Sequence, residues 1–125
     1  MVQRTGGVVV VVEDDVDIRE LAVELLASAG FPAVGAANGL EALARGRDRR
    51  TPPALFVLDL EMPVMSGWEF LRAQARDPVL AGVPVIVTSS SEPGPIRCDA
   101  YLPKPYDPRA LLRAIAAAGV AAQAA

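Results

Sequence analysis

Five consecutive valines at positions 8–12 carry no polar alternation, which predicts a central parallel strand covered on both faces. The run stops at Glu13-Asp14-Asp15. A helical pattern follows at once, with Ile18, Leu21, Ala22, Leu25, Leu26 and Ala29 on one stripe and Gly30 as its stop. Asp15 or Asp17 suits the positive N-terminus of that helix. Residues 32–37 read as a short second strand, and Asn38 as the cap of a helix running to about Arg49, broken by Thr51-Pro52-Pro53. Residues 54–58 form another two-sided apolar strand ending at Asp59, and a helix over 68–76 follows Gly67. Next come a strand over 83–87 ending at Thr88 and a short strand over 100–102 ending at Lys104. Asp107-Pro108 opens a last helix with Leu111, Ala114, Ile115 and Ala118 on one face.

Strands alternating with helices predict a doubly wound α/β domain. The connection between Thr88 and Ala100 breaks the alternation, because Pro93, Gly94 and Pro95 oppose a regular crossover helix. A length of 125 residues suits one domain. The expected core is about 8–118, with flexible ends at 1–6 and 119–125.

Composition narrows the chemistry. There is no histidine, which removes Ser-His-Asp and Cys-His nucleophile systems and the common zinc sites. Cys98 is the single cysteine, so no internal disulfide forms, and a reducing, cytoplasmic setting is expected. A net charge of −3 argues against a nucleic-acid surface. No apolar run approaches the ~20 residues of a spanning helix. Of the 12 Lys and Arg residues, Lys104 is the one lysine, set between two prolines. An ammonium there is a compact point charge, unlike the planar arginine fork.

In an open parallel sheet, ligands bind beyond the carboxyl ends of the strands. Glu13 and Asp14, Asp59, Thr88 and Lys104 all fall at such ends. Taken singly, each is an ordinary cap or turn residue; their coincidence on one rim carries the signal. Three converging carboxylates repel unless a cation joins them, and a hard ion such as Mg²⁺ suits these oxygens. Metal, ammonium and hydroxyl together can neutralise phosphoryl oxygens, which makes Asp59 the candidate nucleophile.

These segments, Val11-Val12-Glu13-Asp14-Asp15, Leu58-Asp59-Leu60-Glu61-Met62-Pro63 through Gly67, Val85-Ile86-Val87-Thr88-Ser89 and Tyr101-Leu102-Pro103-Lys104-Pro105, resemble the receiver domain of bacterial two-component response regulators. The resemblance spans about 8–118. It implies a flavodoxin-like (βα)₅ fold with a five-stranded parallel sheet in the order 2-1-3-4-5, phosphorylated on Asp59 by a sensor histidine kinase or a histidine phosphotransfer protein. It also implies Mg²⁺ held by Asp14, Glu13, Asp59 and the Glu61 backbone carbonyl. Thr88 and Lys104 would contact the phosphoryl group, Tyr101 would be the switch aromatic, and the Lys104–Pro105 peptide bond would be cis. Such a protein is a phosphoacceptor rather than a conventional enzyme. Its output is docking to a downstream target or a phosphorelay.

One departure stands out: the stretch from Thr88 to Lys104 is shorter than the family pattern by about one to two helical turns. The fourth helix is therefore expected to be degenerate or replaced by a loop. That would uncover roughly 200–300 Å² of apolar sheet, worth about 5–8 kcal/mol at ~25 cal/mol/Å². Ile96, a second copy in a homodimer, or a partner is expected to cover part of the gap. A rival reading keeps the fold without the switch, as an adaptor docking through the 89–99 loop. A phosphate-ester hydrolase would carry Asp-x-Asp where Asp59-Leu60-Glu61 stands. A flavin site would be repelled by Glu13-Asp14-Asp15.

Overall fold

The computed structural model describes residues 7–123. Its strands are β1 (Val8–Val12), β2 (Ala33–Ala36), β3 (Pro53–Asp59), β4 (Val85–Ser89) and β5 (Ala100–Pro103). The helices are α1 (Val16–Ser28), α2 (Gly39–Gly46), α3 (Gly67–Arg76) and, after β5, α4 (Pro108–Ala117). All strands pair in parallel in one sheet ordered β2-β1-β3-β4-β5. The chain therefore has the flavodoxin-like fold expected, with the helix between β4 and β5 replaced by a loop.

Strand alternation explains why the valine run is apolar throughout. Val10 and Val12, with Phe56, Leu58, Val85 and Val87, face the core under α2 and α3. Val9 and Val11, with Leu55, Val57 and Ile86, face the core under α1 and α4. Both halves are needed because each residue step along a strand changes face. On the α3 side, Phe56 and Phe70 meet edge to face with ring centroids 4.9 Å apart.

Helix starts follow the capping chemistry. Asp15, rather than Asp17, caps α1 by accepting from the N–H groups of Asp17 and Ile18. Asn38 caps α2, Ser66 forms a full capping box with Glu69 on α3, and Asp107 caps α4 with Pro108 in its first turn. Most boundaries fall within a residue or two of the sequence expectation, and three departures have a physical cause. Helix α2 ends at Gly46 instead of near Arg49, because Asp48 accepts from the Arg50 N–H in a local turn that competes with the helix. Strand β4 begins at Val85, after Pro84, which has no N–H to give a ladder. The expected fraying from Gly119 does not describe 119–123: Val120 is buried and the Gln123 N–H donates to the Gly30 carbonyl at 2.7 Å. Residues 1–6 and 124–125 lie outside the described residues.

The loop between β4 and β5 is tied down at its far end. Asp99 donates its N–H to the Val85 carbonyl and accepts the Val85 N–H on its carboxylate at 2.7 Å. Ile96 and Cys98 pack against the core under α2 and α3, so the loop covers part of the sheet that a helix would otherwise shield.

Between β3 and α3 the backbone is under strain. Val64 has φ +69° and is 73% exposed; a β-branched residue in the left-handed region is a genuine outlier. Gly67 allows the turn to close, since a Cβ there would come within 2.6 Å of the Asp59 carbonyl oxygen and the Leu60 Cα. Asn tolerates the left-handed region, and the Val64 side chain has little burial to lose. Val64→Asn should therefore raise the unfolding free energy by about 1 kcal/mol, read as a higher urea midpoint with an unchanged slope.

Candidate functional site

The carboxyl ends of β1, β3 and β4 and the start of the β5–α4 connection converge on one rim. β1 delivers Glu13, which sits in the first turn after the strand, 5% exposed. Its backbone is pinned: the Glu13 N–H donates to the Ala36 carbonyl, and Arg19 donates through Nη1 to the Glu13 carbonyl at 2.7 Å. Asp59, 4% exposed, ends β3, and its Oδ1 accepts the Glu61 N–H at 3.2 Å. Asp14 is exposed beside them. One carboxylate oxygen from each of Glu13, Asp14 and Asp59 lies within 4.8 Å of the others.

Lys104 enters this cluster from the opposite end of the sequence. Its Nζ stands 2.6 Å from Glu13 Oε1 and 3.1 Å from Asp59 Oδ2. The Lys104 N–H donates to the Ser89 carbonyl, and the Lys104–Pro105 peptide is cis. Burial pushes the Glu13 carboxyl above its ordinary value; the Lys104 hydrogen bond offsets part of this, and the Asp59 charge adds to it. Burial works against the Lys104 charge, but the bonds and charges of Glu13 and Asp59 outweigh it and hold the ammonium above its ordinary value. Tyr106, half-buried nearby, has its phenol raised by burial and by the Glu13 charge.

Thr88 is buried next to Asp59 in register, with its hydroxyl 3.5 Å from the Leu58 carbonyl, at the limit of a hydrogen bond. Tyr101 is half-buried, and its hydroxyl leans on the Ser91 and Ser89 carbonyls at 3.3 and 3.5 Å. The candidate residues Glu13, Asp14, Asp59 and Lys104 are thus gathered into one cluster, with Thr88 on its wall and Tyr101 set behind the loop.

Glu61 holds a position that spacing did not reveal. Its carboxylate accepts hydroxyls from Ser89 at 2.5 Å, Ser90 at 2.8 Å and Ser91 at 3.1 Å. These bonds hold the exposed Glu61 below the usual carboxylate range, with Ser89 the largest contributor and Ser90 next. The signal was present as the Ser89-Ser90-Ser91 run, but only the parallel pairing of β3 and β4 places it opposite Glu61.

The donor set fits a hard divalent ion: three carboxylates, all oxygen, with no soft ligand beside them. Glu13, Asp14 and Asp59 would hold such an ion. Among the described residues, no helix is long and apolar enough to cross a membrane.

Loss of the ammonium leaves two buried carboxylates without a cation. Lys104→Met should destabilise the chain by about 3 kcal/mol at pH 8. Because the folded-state pKa of Lys104 lies above its ordinary 10.5, this stabilisation is complete below that value and fades as pH rises through the folded-state pKa. Urea unfolding of both proteins from pH 8 to 11.5 should show the gap closing at the alkaline end.

Comparison with known proteins agrees with the geometry. The family model described as the response regulator receiver domain matches residues 9–116. The polar-differentiation response regulator DivK of Brucella anthropi is 36% identical over 104 residues, covering 78% of this chain and 83% of DivK. PilG of Pseudomonas aeruginosa is 33% identical over 125 residues, covering 94% and 91%. The phosphate regulon regulator PhoB of the same species is 32% identical over 114 residues, 86% of this chain; the chain spans about half of PhoB, 49% of its length. The structure of the chemotaxis response regulator CheY4 of Vibrio cholerae superposes with a TM-score of 0.79 at 29% identity, covering 91% of this chain and 99% of CheY4. With the family model matched over residues 9–116 and DivK 36% identical over most of its length, the chain belongs to the response regulator receiver domain family.

Proposed function

We propose that the chain accepts a phosphoryl group on Asp59 from a phosphohistidine of a sensor histidine kinase or histidine phosphotransfer protein. The signal then passes on by docking to a downstream protein or by phosphorelay. The observation that carries this reading is the Lys104 ammonium within hydrogen-bond reach of both Asp59 and Glu13. A carboxylate so placed can attack phosphorus while an ammonium balances charge on the equatorial oxygens.

In the transfer, an Asp59 oxygen forms the new P–O bond as the P–N bond to the donor imidazole breaks. The leaving imidazole keeps that electron pair and takes up a proton. These 125 residues hold no histidine, so a phosphohistidine donor lies outside them. Glu13, Asp14, Asp59 and the Glu61 carbonyl are the proposed Mg²⁺ ligands. When bound, Mg²⁺ supplies positive charge for the carboxylates and the phosphoryl oxygens. Lys104 exchanges one carboxylate partner for a phosphoryl oxygen. The adduct adds about −1.5 to −2 charge at the rim. Thr88 turns its hydroxyl from the long contact with Leu58 toward the phosphoryl group. Tyr101, held by contacts of 3.3 and 3.5 Å, is free to move inward behind it. The work is that of a cytoplasmic phosphoacceptor rather than a conventional enzyme.

Replacement of the β4–β5 helix by a loop favours a second reading, an adaptor that docks through 89–99 without phosphorylation. Incubation with acetyl phosphate and Mg²⁺ separates the two. The expected result is an intact-mass gain of one phosphoryl group, lost with a metal chelator and absent in Asp59→Asn. No adduct with acetyl phosphate, and no response to a beryllofluoride mimic, would leave the adaptor reading standing.

A further inference from the structure

A groove of about 670 Å³ lies between α3 and the 95–99 segment, on the side of the sheet where a crossover helix would sit. Its floor is apolar: Trp68, Leu71, Val83, Val85, Ile96 and Cys98 line it. Arg72 and Arg97 also line it, and both are exposed. The salt bridges among the described residues are made by Arg47, Arg50 and Lys104, so neither groove arginine has one. Asp99, the acid on the wall, already spends its carboxylate on the Val85 N–H. A groove with an apolar floor and two exposed guanidinium groups free of salt bridges, Arg72 acting only electrostatically on Glu69, thus occurs in a chain of net charge −3.

The β4–β5 segment cannot fill this channel with a helix. Pro93 and Pro95 flank Gly94, whose φ is +74°, and the segment is held at Asp99. A second copy is a poor occupant too. A two-fold interface brings the same patch against itself, which would set Arg72 and Arg97 against their own copies. We infer that the groove receives an amphipathic helix of a partner protein, with apolar residues at i, i+3 or i+4, and i+7 and acidic residues on its flanks. Helix-in-groove recognition uses this spacing, and the volume lies in the range of ordinary binding clefts. The acidic flanks pair with Arg72 and Arg97. The surface is separate from the acidic rim, so the inference does not rest on phosphorylation of Asp59.

The test uses the full chain without phosphodonor and a displayed library of helical peptides of about 14 residues, long enough to hold three to four turns. Enriched peptides should carry the apolar spacing with Asp or Glu flanks and bind with micromolar affinity. They should also change the fluorescence of Trp68, the chain's one tryptophan. Arg72→Glu with Arg97→Glu should weaken binding at least tenfold while leaving the acetyl phosphate mass gain intact. Ile96→Asp should weaken it as well; the exposed arginine pair keeps the test valid if that variant folds poorly. The inference is overturned if no peptide is enriched, if basic flanks are selected, or if the arginine variants bind equally well. It is also overturned if the chain sediments as a dimer that Ile96→Asp dissociates. Because these readings need no phosphate, failure of Asp59 to accept a phosphoryl group would leave them unaffected.

Discussion

One ammonium holds the rim of this domain together. Lys104 reaches Glu13 at 2.6 Å and Asp59 at 3.1 Å across a sequence gap that spans most of the fold. Two nearly buried carboxylates this close would otherwise push each other toward protonation; burial first, and the Asp59 charge after it, hold Glu13 above its ordinary value even with the lysine present. Each architectural feature serves that meeting. Parallel pairing brings the ends of β1 and β3 side by side, the capped start of α1 fixes the turn holding Glu13, and the Ser89 carbonyl anchors the Lys104 backbone. The result is a charge cluster assembled in advance and short of positive charge, which suits it to a divalent ion and a phosphoryl group.

The receiver fold is retained around the site and altered away from it. The β4–β5 crossover, reduced to a proline-interrupted loop, still contributes Ile96 and Cys98 to the core, so the sheet is not left bare. What the loop cannot do is close the space beside α3. At the loop's other end, the three serines bind the Glu61 carboxylate, and the Tyr101 hydroxyl rests on the carbonyls of Ser89 and Ser91. The loop therefore spans from the acidic rim to the groove. Within one connection, the fold joins the acidic rim to the groove beside α3.

Much of this was legible in the residue pattern. Runs such as Val8–Val12, apolar on every residue, can be buried on both faces only within a central parallel strand. That constraint fixes the sheet class and puts every strand-end polar residue on one rim. The solitary lysine pointed to the same place, because its chemistry differs from the eleven arginines by kind rather than degree. Other features depended on distances that no local pattern encodes. The Ser89–Ser91 run looked like loop solubility until the β3–β4 register set it opposite Glu61. Asp48 ended α2 early through a turn that helical periodicity cannot weigh against continuation. Val64 occupies a left-handed conformation that its own preferences oppose, so only the closing of the β3–α3 turn reveals it.

The account rests on Lys104 and a metal ion competing for the same carboxylates. Calorimetric titration of Mg²⁺ into the native chain and into Lys104→Met tests it most directly. Removing the ammonium frees Glu13 and Asp59 and deletes a like charge within bonding distance of the ligand oxygens, so the variant should bind Mg²⁺ about tenfold more tightly, the equivalent of ~1.4 kcal/mol. Equal or weaker binding by the folded variant would show that the lysine does not neutralise this cluster, and would contradict the account.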